Sequence, residues 1–580
     1  MLSALLEKAR ADSPLWLPEL REAFLRDPAA RPVTLRLTLH DGSQRDYPCA
    51  LPRWETEEEQ RFAAEFFHAC VYNILAACSG RELRLFFDRS DAELCALAAE
   101  LDAVFQVREA RRRGYGKVIS IAGRIAASYG GPAFRFVCAD LRELTPLPEP
   151  PEKAPVPLDE TLRRLGEEAA SLALCGIDVG GTDIKLAASD GGRLVCVKEY
   201  DWNPAAYGTA EEITEPILLL TRLMRCCLAA GRGVCPEPVR DTLAAALDKD
   251  APLPLIRGAV EAAEACFGAA VDVLDGVGLS FPDIVIDDRI LGGETPKTDG
   301  MRRNPALDYE VAFRKLSGLK GALTALCRAG GRVHITNDGN MAAFTAAMEI
   351  AHSGEAQTLR EGVLAHSLGT DLGTGWLMAD GTIPALPLEM YDLILDLGSF
   401  PSRAFAPADL RSTRNQNSGL PGALRYMGQA AAYRLAQKLG PGLLDGFTED
   451  ADGVLRIITA PQDLRKPCLE SLMQKAETGD TAACEIFRCI GTNLSVVTRE
   501  MEYLLHPGAT ARYLFGRFVK RPGVFALLDA GFRAGAPGLR LVPSDGGLAN
   551  TPLMHALSTA PGVTVAQFGQ AVGAIYFALT

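Results

Sequence analysis

Nowhere in these 580 residues do eighteen uncharged apolar residues run together, the length a helix needs to cross the hydrocarbon core of a bilayer. The most apolar helical stretch, ILLLTRLMRCCLAAG, is broken by Arg222 and Arg225, so no membrane span is expected. The first residues, MLSALLEKARADSP, are amphipathic and interrupted by charge, and no secretory leader is expected. Cysteines at the spacing of a metal knuckle are also missing: there are 15, an odd number, with no CxxC pair. Several sit in apolar runs, as Cys70, Cys78 and Cys266 do, where a thiol behaves as a small hydrophobe. That usage excludes a disulfide framework and fits a reducing, cytoplasmic setting. Positive charge is scarce as well. Against 60 Lys and Arg stand 73 Asp and Glu, a net charge of −13, a sign that repels a phosphate backbone and disfavours nucleic acid as a partner. The one basic run, residues 108–117 (REARRRGYGK), is read as a solvated, helix-terminal charge cluster. No repeat of solenoid period is visible.

What is present is ordinary globular composition, 48% hydrophobic and 23% charged, at a length that suits two to four domains. Residues 1–143 mix strand and helix signals. Residues 33–39 alternate like a strand before the turn dipeptide Asp41-Gly42, and 57–78 carry a helical apolar period. Residues 82–87 read as a strand, and 92–104 as a helix behind the capping candidates Ser90 and Asp91. This is an α+β module of unassigned role. Residues 144–160 (LTPLPEPPEKAPVPLDE) hold six prolines between Pro146 and Pro157, which favours extended polyproline structure and marks a linker. From 161 to 580 the pattern is α/β, with strand candidates at 172–177, 276–280, 333–336 and 363–367 separated by helical stretches. Insertions are expected near 202–254 and 440–464.

Three motifs carry chemistry. In CGIDVGGTDIK (175–185) a strand ends at Ile177 and delivers Asp178, Gly180, Gly181, Thr182 and Lys185. Glycines there let backbone N–H groups approach phosphate oxygens, Thr182 offers a hydroxyl, and Asp178 suits hydrated Mg2+ held through water. A plain hairpin turn is the structural alternative. In HITNDGNMAAFTAA (334–347) a strand brings Asn337 and Asp338 to the start of an alanine-rich helix. A carboxylate there can take a proton from an attacking alcohol, or simply cap the helix. In AHSLGTDLGTGWLMADGT (365–382) a glycine- and threonine-rich hairpin offers Gly369, Thr370, Gly373, Thr374 and Gly375 to phosphates, with Asp371 inside the turn.

Together these strings resemble the two phosphate motifs and the catalytic aspartate of the ROK group of sugar kinases, in the actin-like ATPase superfamily. The resemblance covers about 410 of the 580 residues. It implies two ribonuclease-H-like α/β lobes around a nucleotide cleft, ATP as cosubstrate with Mg2+ at Asp178, a small-molecule sugar acceptor, and Asp338 as general base. It also implies that Asn337, Asn304 and Glu389 contact the acceptor, and that Gly516, in YLFGRFV, and Gly573-Ala574 lie on the adenosine side. A homodimer is compatible with it. Lys297, Arg302 and Arg303, in ETPKTDGMRRN (294–304), would suit an acidic acceptor or a merely solvated loop. The chain departs from the family's pattern at three points. Asp371 stands where a glycine is usual, and Met390-Tyr391 stand where a Gly-His pair follows the sugar-binding glutamate. No cysteine lies between Cys327 and Cys468, so RSTRNQNSGLPGALRYMG (411–428) lacks the family's zinc ligands and no zinc site is expected. These departures keep a second class in view: a non-catalytic, sugar-sensing regulator or pseudokinase of the same fold.

Overall fold

The computed structural model describes residues 1–11, 13–106, 114–148, 157–233, 235–292, 296–369, 372–398, 409–412, 420, 422–444, 447–449, 455–457, 465–543 and 549–580. The backbone divides into two compact units. One joins Met1–Lys153 to Ser367–Thr374 and Leu386–Pro543; the other joins Ala154–His366 to Gly375–Ala385 and Ser544–Thr580.

The N-terminal stretch of the first unit runs α1 (Leu2–Arg10), α2 (Leu17–Arg26), β1 (Arg31–Thr38), β2 (Gln44–Leu51), α3 (Glu57–Cys78), β3 (Glu82–Phe87), α4 (Ala92–Gln106), α5 (Gly116–Ser128) and β4 (Arg135–Asp140). Its sheet has the order β2-β1-β3-β4, antiparallel except for the parallel pair β3–β4. The expected turn closes the β1–β2 hairpin: Gly42 takes φ +91°, and Ser43 N–H donates to Asp41 Oδ1 at 2.8 Å. Thr56 caps α3 by accepting from Glu59 N–H at 3.2 Å, and Glu57, Glu58 and Glu59 sit in the first turn, where the helix dipole favours negative charge. Of the two candidates before α4, Asp91 is the one that caps, accepting from Glu93 and Leu94 N–H at 3.0 and 3.1 Å. In the basic run, residues 108–113 lie outside the described residues.

In the second unit α6 (Leu158–Ala169) begins inside the span assigned to the linker. Pro157 precedes it, and Leu158 and Leu162 are buried, so apolar anchoring starts the helix earlier than the proline count suggested. There follow β5 (Ala173–Val179), β6 (Asp183–Asp190), β7 (Arg193–Asp201), α7 (Ala210–Arg232), α8 (Glu237–Leu247), α9 (Leu253–Phe267), β8 (Gly276–Phe281), the short pair β9 (Val285–Ile286) and β10 (Arg289–Ile290), α10 (Asp299–Arg303), α11 (Tyr309–Leu316), α12 (Leu319–Thr324), β11 (Arg332–Asn337) and α13 (Asp338–Ala351). The sheet order is β11-β8-β5-β6-β7, with β5, β6 and β7 an antiparallel meander and β5, β8 and β11 parallel. That order and sense are those of a ribonuclease-H-like lobe.

Side chains alternate across β5. Ala173, Cys175, Ile177 and Val179 join the core beneath α7 and α9. The opposite face receives the C-terminal helix Val565–Phe577 at backbone distance: a Cβ on Gly176 would stand 1.9 Å from Ala571 O, and one on Gly278 1.8 Å from Ala574 O. The same helix meets α13 where a Cβ on Gly573 would fall 1.9 Å from Thr345 Oγ1. Gly573 and Ala574 therefore serve helix–sheet and helix–helix packing, for which only small residues leave room.

The chain passes from the second unit to the first within β12 (Val363–Leu368) and back within β13 (Leu372–Leu377). The first unit then holds α14 (Leu424–Met427), α15 (Gln429–Leu439), the hairpin β14 (Phe447–Glu449) and β15 (Leu455–Ile457), α16 (Arg465–Glu477), α17 (Thr481–Leu505), β16 (Ala511–Gly516), α18 (Pro522–Gly535) and β17 (Arg540–Pro543). The second sheet has the order β13-β12-β16-β17, with β16 and β17 parallel. Among the described residues it has four strands where the other lobe has five. The hairpin β14–β15 falls in the expected insertion near 440–464.

The N-terminal sheet is self-contained, but its packing is not. Arg21 on α2 makes a two-pronged ion pair with Glu500 on α17, at 3.2 and 2.6 Å, with the two side chains 4% and 0% exposed. Asn73 Nδ2 donates to Glu500 at 2.9 Å, the Arg21 guanidinium lies 3.5 Å from the centre of the Tyr503 ring, and Tyr47 Oη donates to Leu504 O at 3.0 Å. Removing one partner of such a pair leaves an uncompensated buried charge and costs about 3–5 kcal/mol. Arg21→Met should therefore lower unfolding stability by that order in urea titration. Arg21→Met with Glu500→Leu should recover much of the loss. Equal stability of Arg21→Met and the parent would mean that the N-terminal stretch is only loosely applied.

Candidate functional site

In the second unit the candidate residues gather where the parallel strands end, the edge at which open α/β sheets bind ligands. Asp178 is the penultimate residue of β5. Its register partners are Lys185 on β6 and Ser280 on β8. Strand alternation puts it on the same face as Gly176, the face that carries the C-terminal helix. Asn337 ends β11 and caps α13 through Gly339 N–H at 2.8 Å, while its Nδ2 donates to Asp283 O at 2.8 Å. Asp338 is the first residue of α13, and its Oδ1 also accepts from Gly339 N–H, at 2.9 Å. Asn337 thus does the capping, and among the described residues Asp338 Oδ2 has no hydrogen-bond partner.

Asp178 and Asp338 are near enough to feel each other. Burial pushes the Asp178 carboxyl up from 3.8 to about 6, the Lys185 ammonium pulls it down, and the Asp338 carboxylate pushes it up again. Lys185 is itself bonded to Asp183. Asp178, at the end of β5, is the carboxylate here that could hold a hydrated divalent cation through water.

Gly180, Gly181 and Thr182 form the turn between β5 and β6. Gly180 N–H donates to Asp183 O at 2.7 Å, and a Cβ on Gly180 would lie 2.8 Å from Asp183 Oδ1. Thr182 is exposed, with Oγ1 3.3 Å from Asp183 Oδ2. Trp202 braces the turn from the end of β7: its Nε1 donates to Gly180 O and its backbone N–H to Thr182 O, both at 3.0 Å. Sequence reasoning passed over Trp202 as the start of an insertion, and only its place directly after a strand could have flagged it. Beside the turn is a narrow crevice of about 10 Å³, lined in part by Trp202, Phe281, Asp283, Lys297 and Thr298. Lys297 Cε comes within 3.4 Å of a Cβ built on Gly181. Arg302 and Arg303 instead pair with Asp299 at 3.2 and 3.0 Å. Asn304 spends its side chain locally, donating to Gly208 O at 2.9 Å and accepting from Ala306 N–H at 3.0 Å. Gly375 packs backbone to backbone on the first turn of α13, with a Cβ there falling 1.8 Å from Gly339 O, and Trp376 N–H donates to Asn340 Oδ1 at 3.0 Å.

The first unit holds the other candidates. Gly369 O accepts from Gln429 N–H, at the start of α15, at 3.1 Å, and Thr374 is buried. Gly516, at φ +110°, ends β16 against β12, where a Cβ would stand 2.2 Å from Leu368 O; both conformation and space require glycine. Thr370 and Asp371 lie outside the described residues. Glu389 is 7% exposed and accepts from Tyr391 Oη at 2.8 Å. It is thus anchored beneath the N-terminal helices rather than set in an open loop.

No family model matches this chain, and no curated protein matches it. Among solved structures it is similar to a ROK-family glucokinase from Streptomyces griseus, solved with glucose and AMPPNP: 18% identity, 70% of this chain against 99% of that one, TM-score 0.37. A ROK hexokinase from Thermus thermophilus has 16% identity, with 70% and 98% covered and a TM-score of 0.38. A ROK-family transcriptional regulator, a homologue of the E. coli MLC protein, has 12% identity, with 70% and 81% covered and a TM-score of 0.40. At these values the likenesses assign no function.

The raised Asp178 carboxyl has a stability consequence. In the unfolded chain it ionises near 3.8 and in the folded chain near 6. Its favourable contribution to folding is full below the unfolded value and is lost as pH rises through the folded one. Asp178→Asn should therefore raise the melting temperature more at pH 8 than at pH 5. Equal gains at both pH values, or a loss at pH 8, would show that the carboxyl is not strained.

Proposed function

We propose that this chain is a ROK-type, ATP-dependent kinase that transfers the γ-phosphoryl group of ATP to a hydroxyl of a sugar. The observation that carries the reading is the placement of Asp338 at the head of α13, directly after β11, with Asn337 taking the cap and Asp338 Oδ2 left without a hydrogen-bond partner among the described residues, in the sheet whose strand β5 ends at Asp178. In the proposed reaction Asp338 takes the proton of the acceptor hydroxyl as its oxygen attacks the γ-phosphorus. The bond from that phosphorus to the bridging oxygen breaks, and ADP leaves with the electron pair. Asp178 would hold Mg2+ through water; when bound, the ion neutralises charge on the phosphates.

The turn Gly180-Gly181-Thr182 would offer the N–H groups of Gly181 and Thr182 and the Thr182 hydroxyl to phosphate, with Lys185 holding Asp183, which Gly180 N–H also engages, in place. Gly369, Thr370, Gly373, Thr374 and Gly516 are proposed for the nucleotide. Asn337 and Glu389 are proposed for the acceptor, with Asn304 shaping its loop. A cytoplasmic setting remains part of the proposal, from cysteine usage.

One observation favours a second reading, a sugar sensor without turnover. Glu389 is already engaged by Tyr391, which with Met390 stands where the family has its Gly-His pair.

Asp338→Asn separates the two. Asn keeps the size and most of the hydrogen bonding but cannot take the proton, so ADP release with saturating ATP and sugar should fall about a hundredfold to ten-thousandfold. ATP binding, followed by thermal shift, should stay within a few-fold of the parent. A fully active Asp338→Asn protein would remove Asp338 from the chemistry.

A further inference from the structure

The segment from Leu388 to Leu397 has little regular structure of its own, only a short 3-10 turn at Met390–Asp392. A chain path of this kind must find hydrogen bonds elsewhere. It finds them on the N-terminal module, within the same compact unit. Leu388 N–H donates to Ala77 O at 3.1 Å and Glu389 N–H to Ala76 O at 3.2 Å, carbonyls in the last turn of α3 that no later turn of the helix can use. The Asn73 side-chain amide then pairs with the Ile394 backbone in both directions, giving to its carbonyl at 2.9 Å and accepting from its N–H at 2.8 Å. Further along, Leu17 N–H donates to Leu395 O at 2.8 Å, Leu15 N–H to Asp396 Oδ1 at 2.8 Å, and Leu397 N–H to Leu15 O at 2.9 Å.

The side chains repeat the pattern. Asp392 Oδ2 accepts from Tyr72 Oη at 2.6 Å and from Lys117 Nζ, on α5, at 3.2 Å. The same ammonium lies 5.9 Å from the centre of the Tyr391 ring, within the range of a cation–π attraction. Tyr391 in turn donates its hydroxyl to Glu389 Oε2 at 2.8 Å. A continuous line of contacts therefore runs from α5 through Tyr391 to the Glu389 carboxylate. Leu388 takes φ +54°, a conformation that a branched residue keeps only when its surroundings impose it.

We propose that the N-terminal module is a built-in clamp of the acceptor site, with Lys117 a positioning residue that acts through Asp392 and Tyr391 to aim the Glu389 carboxylate at a sugar hydroxyl. This rests on the reading above that Glu389 contacts the acceptor. The module would accordingly be a working part of sugar recognition rather than an appended domain with a separate partner. Lys117 is suited to the task because its charge touches the segment at two points while its backbone is fixed in α5.

The test compares the full chain with Lys117→Met and Lys117→Arg. D-Glucose and N-acetyl-D-mannosamine are the acceptors, and hydrogen exchange of the peptide spanning 386–397 is followed alongside. Lys117→Met should raise the KM for sugar about tenfold and leave the KM for ATP and kcat within about twofold, the signature of lost ground-state positioning. Lys117→Arg should restore most of the sugar KM. Exchange in 386–397 should quicken in Lys117→Met while the 178–185 hairpin stays as protected as in the parent. Unchanged sugar KM, or sugar and ATP constants rising together as general loosening would produce, overturns the proposal. If the parent turns over neither sugar, the kinase reading fails by itself. Sugar-dependent protection of 386–397 in the parent, lost in Lys117→Met, then still supports the clamp, whereas no such protection in the parent overturns it.

Discussion

The candidate chemistry depends on one close contact: the C-terminal helix lying directly on the sheet of the second unit. Gly176 and Gly278 have no side chains to hold it off, and Gly573 lets the same helix nest against Thr345 of α13. Sheet and α13 are thereby packed on one helix, and Asp178 and Asp338 stand in each other's field. A methyl group at Gly176 or Gly278 would meet backbone, which cannot step aside as a flexible side chain can. The cost of the arrangement appears at Asp178, whose carboxyl is held above its ordinary range by burial. Destabilised groups of this kind are what binding sites tend to retain.

Much of the second unit was legible because its signals are local. A strand followed by Gly-Gly-Thr is read from adjacent residues, and β5, β8 and β11 fall where apolar runs place them. Capping was the plain alternative for this motif, and the structure gives that task to Asn337 and leaves Asp338 Oδ2 without a hydrogen-bond partner among the described residues. Other features were hidden because they depend on distant partners. Trp202 braces the glycine turn from 20 to 22 residues away. Asn304 is committed to Gly208, a loop that no spacing rule links to it. Gly573-Ala574, expected on the adenosine side, packs against α13 and the sheet. The helix α6 begins within the last residues of the span read as linker, because Pro157 ends the proline run and Leu158 and Leu162 are buried.

The N-terminal module shows the same limit more strongly. Its strands and helices were mostly readable one by one, since the hairpin turn, the α3 cap and the alternation of β1 are short-range. What it packs on was not, because Arg21 and Glu500, or Asn73 and Ile394, are separated by more than 300 residues. A proline-rich linker sets the module apart in sequence. The buried ion pair and the borrowed carbonyls of α3 tie the module to α17 and to the segment carrying Glu389. A polar contact of this kind is specific because it is expensive to break, so the module and the segment it holds are mutually dependent.

The most direct measurement is 31P NMR of the full chain incubated with Mg·ATP and a panel of hexoses and N-acetylhexosamines. A sugar kinase gives a phosphomonoester resonance that grows with ADP in equal amount, only when chain, ATP and one of the sugars are all present. ATP left intact with every sugar, while a sugar still protects the chain against heat, would contradict phosphoryl transfer and leave a sensor. ADP appearing with inorganic phosphate alone would contradict a sugar acceptor.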